Sequence, residues 1–452
     1  MITSHFPPDF GWSGTGRANL ELANGLAGLG HEVEVIACAE DETAINNTYQ
    51  DGVKVSRVSW KKQPRTGLVA HTIPRSRLML NLSVALWREY LKCAKETSFD
   101  IVDATCSYGE SVIPALTGAS PVLSRLYDKR AVFVDKELAF LGDTGFKFEN
   151  ELEKFFQNIA VSLSDDTVAI SSDLLAKNDN SAAAHLINYP LDTELFCPEG
   201  EKALDVEGKP SLIIRMPVKN SAVRQKAVEI VRALMAEIPD LAITIVAPDL
   251  FTEDSEAQIK EELAAVGFAS NMIISTGMSR LISAHLWRSA DCALLLDWKD
   301  ETPYAALEAL ACGVPVVAET LLDEQIWLKD KSIILSPEGF SASSVAEKLK
   351  LMISDSAESR SQRLKSRQYI LDNHCHRQAA KQCVEFYENA IKRSSEGNSI
   401  TKRIGGFEQA LDLVRSTSDR LDSFLYDLMF VHSFKFKVSH WVKKFNRKAS
   451  KR

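Results

Sequence analysis

The sequence predicts an α/β fold of parallel sheets, divided between two Rossmann-like domains. Three observations carry that prediction. The chain opens with a short strand, a glycine-rich turn, an amphipathic helix and a second strand, ITSHFPPDFGWSGTGRANLELANGLAGLGHEVEVIA. The same strand–loop–helix–strand order returns at SLIIRMPVKNSAVRQKAVEIVRALMAEIPDLAITIVAP. Units of this kind, joined by right-handed crossovers, build parallel sheets. A chain of 452 residues is long enough for two substantial cores.

In the first unit the turn runs from Gly11 to Gly16 and the helix from about Arg17 to Leu29. Leu20, Ala23, Leu26 and Ala27 form the helix's apolar face. Small residues between a strand and a helix let backbone N–H groups approach an anion, which makes Gly14 and Gly16 candidate phosphate-binding positions. Further strands are expected at 53–58, 99–103, 121–128 and 165–172, with a helix over 78–95. The polar stretch EGEKALDVEGKP (199–210) reads as an inter-domain linker. In the second unit, Arg215 ends a strand and Lys219 follows in the loop. An Arg suited to bidentate contact and a Lys suited to point-charge contact are candidate diphosphate ligands, with Arg224 as a competitor. Beyond it come a strand at IISTG, where Gly277 would let a base rest against backbone, a helix over 281–289 and the strand DCALLLD.

The most informative stretch is DETPYAALEALACGVPVVAE (300–319). Thr302 is a good N-cap, Pro303 suits the first helical position, and Gly313 with Pro315 ends a helix of about ten residues. After Tyr304 every residue of that helix is apolar except Glu308. A carboxylate there must be hydrogen-bonded if buried, and a ligand rich in hydroxyls is one partner that would serve. The helix start at Thr302, Pro303 and Tyr304 offers N–H groups and a positive dipole end to phosphate. A solvated acid is the ordinary alternative. The last expected helices lie over 345–353, 359–373 and 377–392.

Composition is that of a soluble globular protein, 45% hydrophobic and 25% charged, and a net charge of −8 argues against general nucleic-acid binding. Eight scattered cysteines without paired metal spacing point to free thiols in a reducing compartment. His374-Cys375-His376 reads as a helix start rather than a metal site. No apolar run is long enough to span a bilayer, which favours a cytoplasmic location.

Asp300 and Glu308 are separated by seven residues and followed by ALEALACGVPVV. This resembles the donor-site motif of glycosyltransferase family 4, and the amino-terminal segment, from FPP through the glycine-rich turn to GHEV, resembles the same family. INYPLDTELFCP (187–198) is similar to the segment joining that family's two domains, with Asp192 and Phe196 in place. The likeness covers roughly residues 1–395. It implies the GT-B arrangement: an N-terminal acceptor domain over 1–198, a C-terminal nucleotide-sugar donor domain over 199–376, and a helix over 377–395 crossing back to the first. It also implies metal-independent transfer of a sugar, with retention, from a UDP- or GDP-linked donor to a glycan or lipid-linked acceptor, with no cofactor. Arg215, Lys219 and the helix start after Thr302 would stabilise the departing diphosphate, Glu308 would hold ribose hydroxyls, and Asp300 the donor sugar. Gly14 and Gly16 would face the diphosphate from the other domain.

The sequence departs from the family in several places. Asp300 stands where Glu is usual, Tyr127 where His commonly lies near the donor sugar, and Asp103 where His is frequent. Tyr189-Pro190 replaces a glycine turn, and only MITSH precedes the FPP, implying either a short first strand or a start further upstream. These departures keep open a degenerate member that binds nucleotide as a scaffold. A nucleotide-sugar epimerase and a protein acting only through its tail are weaker alternatives. That tail, 396–452, lies beyond the resemblance. Between Phe430 and Arg452 it holds eight Lys or Arg and no acid, with Phe434, Val438, Trp441, Val442 and Phe445 on one helical face. It reads either as a surface for anionic membrane, at 430–452, or as a solvated basic tail or a helix docking on the protein's own acidic surface.

Overall fold

A computed structural model describes residues 1–8, 14–39, 48–50, 52–59, 74–118, 120–127, 156–170, 184–204, 208–217, 220–247, 271–274, 279–296, 303–318, 330 and 333–396. The expectations for Lys219, Gly277, Asp300, Thr302 and the tail fall outside them.

In the first half, helix α1 (Gly14–Gly28) leads into β1 (Glu34–Ala39), which pairs in parallel with β3 (Val53–Ser59). The edge strand β2 (Thr48–Gln50) runs antiparallel to β3. Helix α2 (Pro74–Cys93) and the short α3 (Val112–Thr117) flank β4 (Val102–Thr105). Parallel pairing then joins β4, β5 (Val122–Leu126), β6 (Asp166–Ala169) and β7 (Ala184–Leu186) in that order. Ile2 bridges β1 on one side and β4 on the other, so Met1–Thr3 fill the central position of the sheet.

Alternation along β1 shows why helices cover both faces. Val35 and Ala37 pack with Leu20 and Ala23 of α1, whereas Ile36 and Cys38 pack with Leu86 and Trp87 of α2.

The second half is a six-stranded parallel sheet in the order β10-β9-β8-β11-β12-β13. Its strands are β8 (Ser211–Arg215), β9 (Ala242–Ala247), β10 (Asn271–Ile274), β11 (Cys292–Leu295), β12 (Val316–Ala318) and β13 (Ile334–Leu335). Its helices are α4 (Ser221–Met235), α5 (Arg280–Arg288), α6 (Tyr304–Ala311), α7 (Ala342–Ile353) and α8 (Ala357–His374). Central strands are apolar on both faces: Leu212 and Ile214 face one cluster, Ile213 the other.

The last helix, α9 (His376–Ser395), follows α8 after a break at Cys375 and packs along α1, reaching β5 and β6. Gly25 allows that approach, because a Cβ there would lie 2.6 Å from the His376 carbonyl oxygen. At the break, Nδ1 of His374 bonds the Tyr189 carbonyl at 2.9 Å and Nδ1 of His376 the Leu191 carbonyl at 3.1 Å. Both imidazoles thus serve to pin 189–191 against the helix junction. Among the described residues no helix is long and apolar enough to cross a membrane.

Candidate functional site between the two halves

Helix α6 is buried almost all round, as its composition requires. It is eight residues long, with Pro303 as N-cap and Tyr304 first in the helix. This corrects the expected helix of about ten residues begun by Pro303. Gly14 and Gly16 are corrected likewise: they form the first turn of α1 instead of a loop ahead of it.

Glu308 is only 7% exposed, yet it does not lack partners. Helix α5 supplies two. Ser279 caps α5, and Ser283 and Trp287, four residues apart, share the face turned to α6. The Ser283 hydroxyl donates to Glu308 Oε2 at 2.6 Å and the Trp287 indole N–H donates to the same oxygen at 3.1 Å. The third comes from the other half: Arg17 Nη2 donates to Glu308 Oε1 at 2.8 Å. The carboxylate isolated along its own helix is therefore satisfied in space by protein donors. A bound hydroxyl is not needed to explain its burial.

Arg17 belongs to a larger ionic cluster. Its Nε donates to Glu21 Oε1 at 3.0 Å, a contact that spacing of four on α1 allows, and its guanidinium lies over Phe196 and Tyr304, 5.3 and 5.9 Å from the ring centres. Glu21 Oε2 accepts from Arg280 Nη2 at 2.8 Å and from the Asp192 N–H at 3.0 Å. Arg280 also reaches Asp192 Oδ2 at 3.0 Å. Asp192 Oδ1 caps the turn that follows, accepting from the N–H groups of Glu194 and Leu195. The Tyr304 hydroxyl donates to the Pro190 carbonyl at 3.0 Å.

Burial pushes the Glu21 carboxyl up from its ordinary pKa, against the pull of Arg280 and Arg17. At Asp192 burial pushes the same way but loses. The Leu195 N–H, Arg280, His376 and the Glu194 N–H together hold it below the usual carboxylate range.

Tyr127, 4% exposed, belongs to a second buried polar network, and its ring shares one apolar cluster with Phe196 and Tyr304. Its hydroxyl accepts from Arg125 Nη1, and Arg125 also bonds the Asp103 carboxylate and, at 2.9 Å, Asn19 Oδ1 of α1. The Tyr387 hydroxyl of α9 donates to Asp103. Burial pushes the Tyr127 phenol up to about 12, with Arg125 opposing. Asp103 and Tyr127 thus share one buried guanidinium. Arg215 stands at the end of β8, between Val246 of β9 and Leu295 of β11, at the carboxyl edge where parallel sheets bind ligands.

The structure therefore brings Glu308 and Tyr304 of α6 against Arg17 in the first turns of α1, which also carry Gly14 and Gly16, and buries Tyr127 in the same apolar cluster as Tyr304. Sequence reasoning missed Glu21, Arg280, Ser283 and Trp287, and noted Arg17 only as the start of the first helix. A signal existed: Arg17 and Glu21 are charges four apart beside the apolar face of α1. Arg280 and Ser283 carried none, because their meaning depends on partners over 250 and 20 residues away, respectively, in the chain.

No protein-family model matches the sequence, and no curated protein matches it. Solved structures do. Sucrose-phosphate synthase from Thermosynechococcus elongatus aligns with a TM-score of 0.61 at 15% identity, over 87% of this chain and 99% of that one. Anabaena HepE, solved in complex with UDP and glucose, aligns with a TM-score of 0.54 at 15% identity, over 86% and 99%. WaaG, a glycosyltransferase involved in lipopolysaccharide biosynthesis, aligns with a TM-score of 0.54 at 12% identity, over 86% and 99%. At these identities the likeness shows the fold, which is the GT-B arrangement of two parallel-sheet halves.

Proposed function

We propose that this protein is a glycosyltransferase that moves a sugar from a UDP-linked donor to the hydroxyl of a glycan or lipid-linked acceptor, with retention at the anomeric carbon. One observation carries the reading: a buried carboxylate, Glu308, stands at the junction of two GT-B halves on the helix that opens the second half's carboxyl edge. The choice of uridine draws on HepE, whose structures hold UDP and UDP-glucose, and on the E. coli trehalose-6-phosphate protein bound with UDP-2-fluoro glucose.

In the proposed reaction the bond between the anomeric carbon and the diphosphate oxygen breaks, the acceptor oxygen bonds to that carbon, and its proton leaves with the diphosphate. Arg215, Lys219 and the N-terminus of α6 stabilise the charge that grows on the leaving group. Glu308 receives the ribose hydroxyls and Asp300 the donor sugar. Gly14 and Gly16 approach the diphosphate from α1. The domain division at 199–210, with α9 as the second crossing, lets the cleft open and close around the donor.

A second reading is a nucleotide-binding protein without transfer. It is favoured by both oxygens of Glu308 already accepting from protein donors and by Tyr127 being buried, with its partner Arg125 also bonding Asn19 of α1. Release of UDP from UDP-sugars, with and without acceptors, separates the two. Transfer requires acceptor-dependent UDP release and retained anomeric configuration by NMR. Tight UDP binding with no release for any donor sugar would establish the second reading.

A further inference from the structure

We infer that Arg17 is a built-in competitor for the ribose-binding oxygen of Glu308, so that a nucleotide gains that oxygen only by displacing the guanidinium and releasing a contact between the halves. This rests on the proposed role of Glu308 as the ribose-binding carboxylate.

The two oxygens of Glu308 are held differently. Oε2 takes Ser283 and Trp287, both from the same half as Glu308 itself, so the carboxylate stays oriented whatever happens at Oε1. Oε1 takes Arg17 from the opposite half. A vicinal diol brings O–H donors to a carboxylate, as Arg17 brings N–H, and with Glu308 only 7% exposed the two compete for the same approach to Oε1. Arg17 keeps a charge partner through that exchange, because Glu21, four residues along α1, already holds its Nε. Glu21 is itself bonded to Arg280 of the second half, so the released pair lies within a chain of charges that joins the halves.

Competition of this kind lowers apparent affinity by the fraction of molecules in which Oε1 is open. It predicts that removing Arg17 tightens binding even while it weakens the fold. A merely structural role predicts the reverse. Lysine tests the geometry: it replaces the two nitrogens that serve Glu21 and Glu308 separately by a single one.

The experiment is calorimetric titration of UDP, and of 2′,3′-dideoxyuridine diphosphate as the diol-free probe, into the full chain and into Arg17→Met, Arg17→Lys and Glu308→Gln, with thermal unfolding of each. If about one molecule in ten has Oε1 open, Arg17→Met binds UDP about tenfold tighter. Its melting temperature falls, Arg17→Lys moves in the same direction, and neither tightens the diol-free probe. Weaker or unchanged UDP binding in folded Arg17→Met overturns the inference. Should Arg17→Met not fold, Arg17→Lys decides by the same criterion. If the unaltered chain binds both probes equally and Glu308→Gln matches it, the ribose reading fails and the inference falls with it. Discrimination for the diol without any gain in the Arg17 variants overturns the inference alone.

Discussion

Glu308 is held by three donors on two oxygens, and its loss would strand two of them. Glu308→Ala leaves Arg17 with one carboxylate in place of two, and leaves the Trp287 N–H and the Ser283 hydroxyl without an acceptor. Breaking a buried pair from one side costs on the order of 3 kcal/mol, so chemical denaturation should show a drop of that size as well as weaker nucleotide binding. An unchanged denaturation midpoint would mean that the Arg17 contact contributes nothing to the fold. Asp192 gives a pH signature. Its carboxyl is held below the ordinary range, so its stabilising effect is fully present above the unfolded pKa and disappears as pH falls through the lowered folded value. Glu21, raised by burial, slopes the opposite way, which makes a difference measurement necessary. The melting-temperature gap between the unaltered chain and Asp192→Asn should therefore be widest at neutral pH and close in acid. A gap independent of pH would show that the carboxylate's charge is not what matters there.

At the scale of elements, the packing of α1 on α9 turns on Gly25. A methyl group there would meet the backbone of His376 at 2.6 Å and the Ala380 Cβ at 3.0 Å, and backbone cannot step aside as a flexible side chain can. Gly25→Ala should destabilise by about 1–3 kcal/mol despite the better helix propensity of alanine. Gly28→Ala, at the end of the same helix with nothing within 4 Å of the new carbon, should be neutral or stabilising by up to about 1 kcal/mol. Equal effects in urea denaturation would refute the close-approach argument. The helices themselves were legible because apolar residues recur with helical period in α1, α4 and α9. The start of α1 was not, because Gly14 and Gly16 suit a loop and a helix N-terminus equally well; the structure places both in the helix, with Gly16 buried.

Over the whole molecule, one apolar cluster runs from Leu22 of α1 and Leu123 of β5 to Ile213 of β8 and Leu310 of α6, so the halves share buried surface beside the ionic chain. Movement between them must expose part of it, and its apolar contribution persists in high salt where the ion pairs weaken. The basic tail, residues 430–452, lies outside the described residues, and its proposed role stands on composition. Each Lys or Arg near an anionic bilayer contributes roughly 1 kcal/mol, screened by salt. Deleting 430–452 should abolish sedimentation with phosphatidylserine-containing vesicles while leaving UDP binding intact. A full-length chain that ignores such vesicles at low salt would assign the tail to another surface.

Alternation of apolar residues along strands and helical periodicity between them were enough to read a parallel α/β protein, since local pattern alone dictates which face of an element seeks a core. The same logic showed that a lone acid on the helix at 304–311 had to find hydrogen-bond donors if buried. Which donors it found was beyond the sequence. Arg17 precedes Glu308 by 291 positions and Ser283 by 266, and no spacing rule acts across such distances. Only the packing of α1 and α5 around α6 turned scattered charges into one connected cluster, because buried charges pair according to where the backbone carries them.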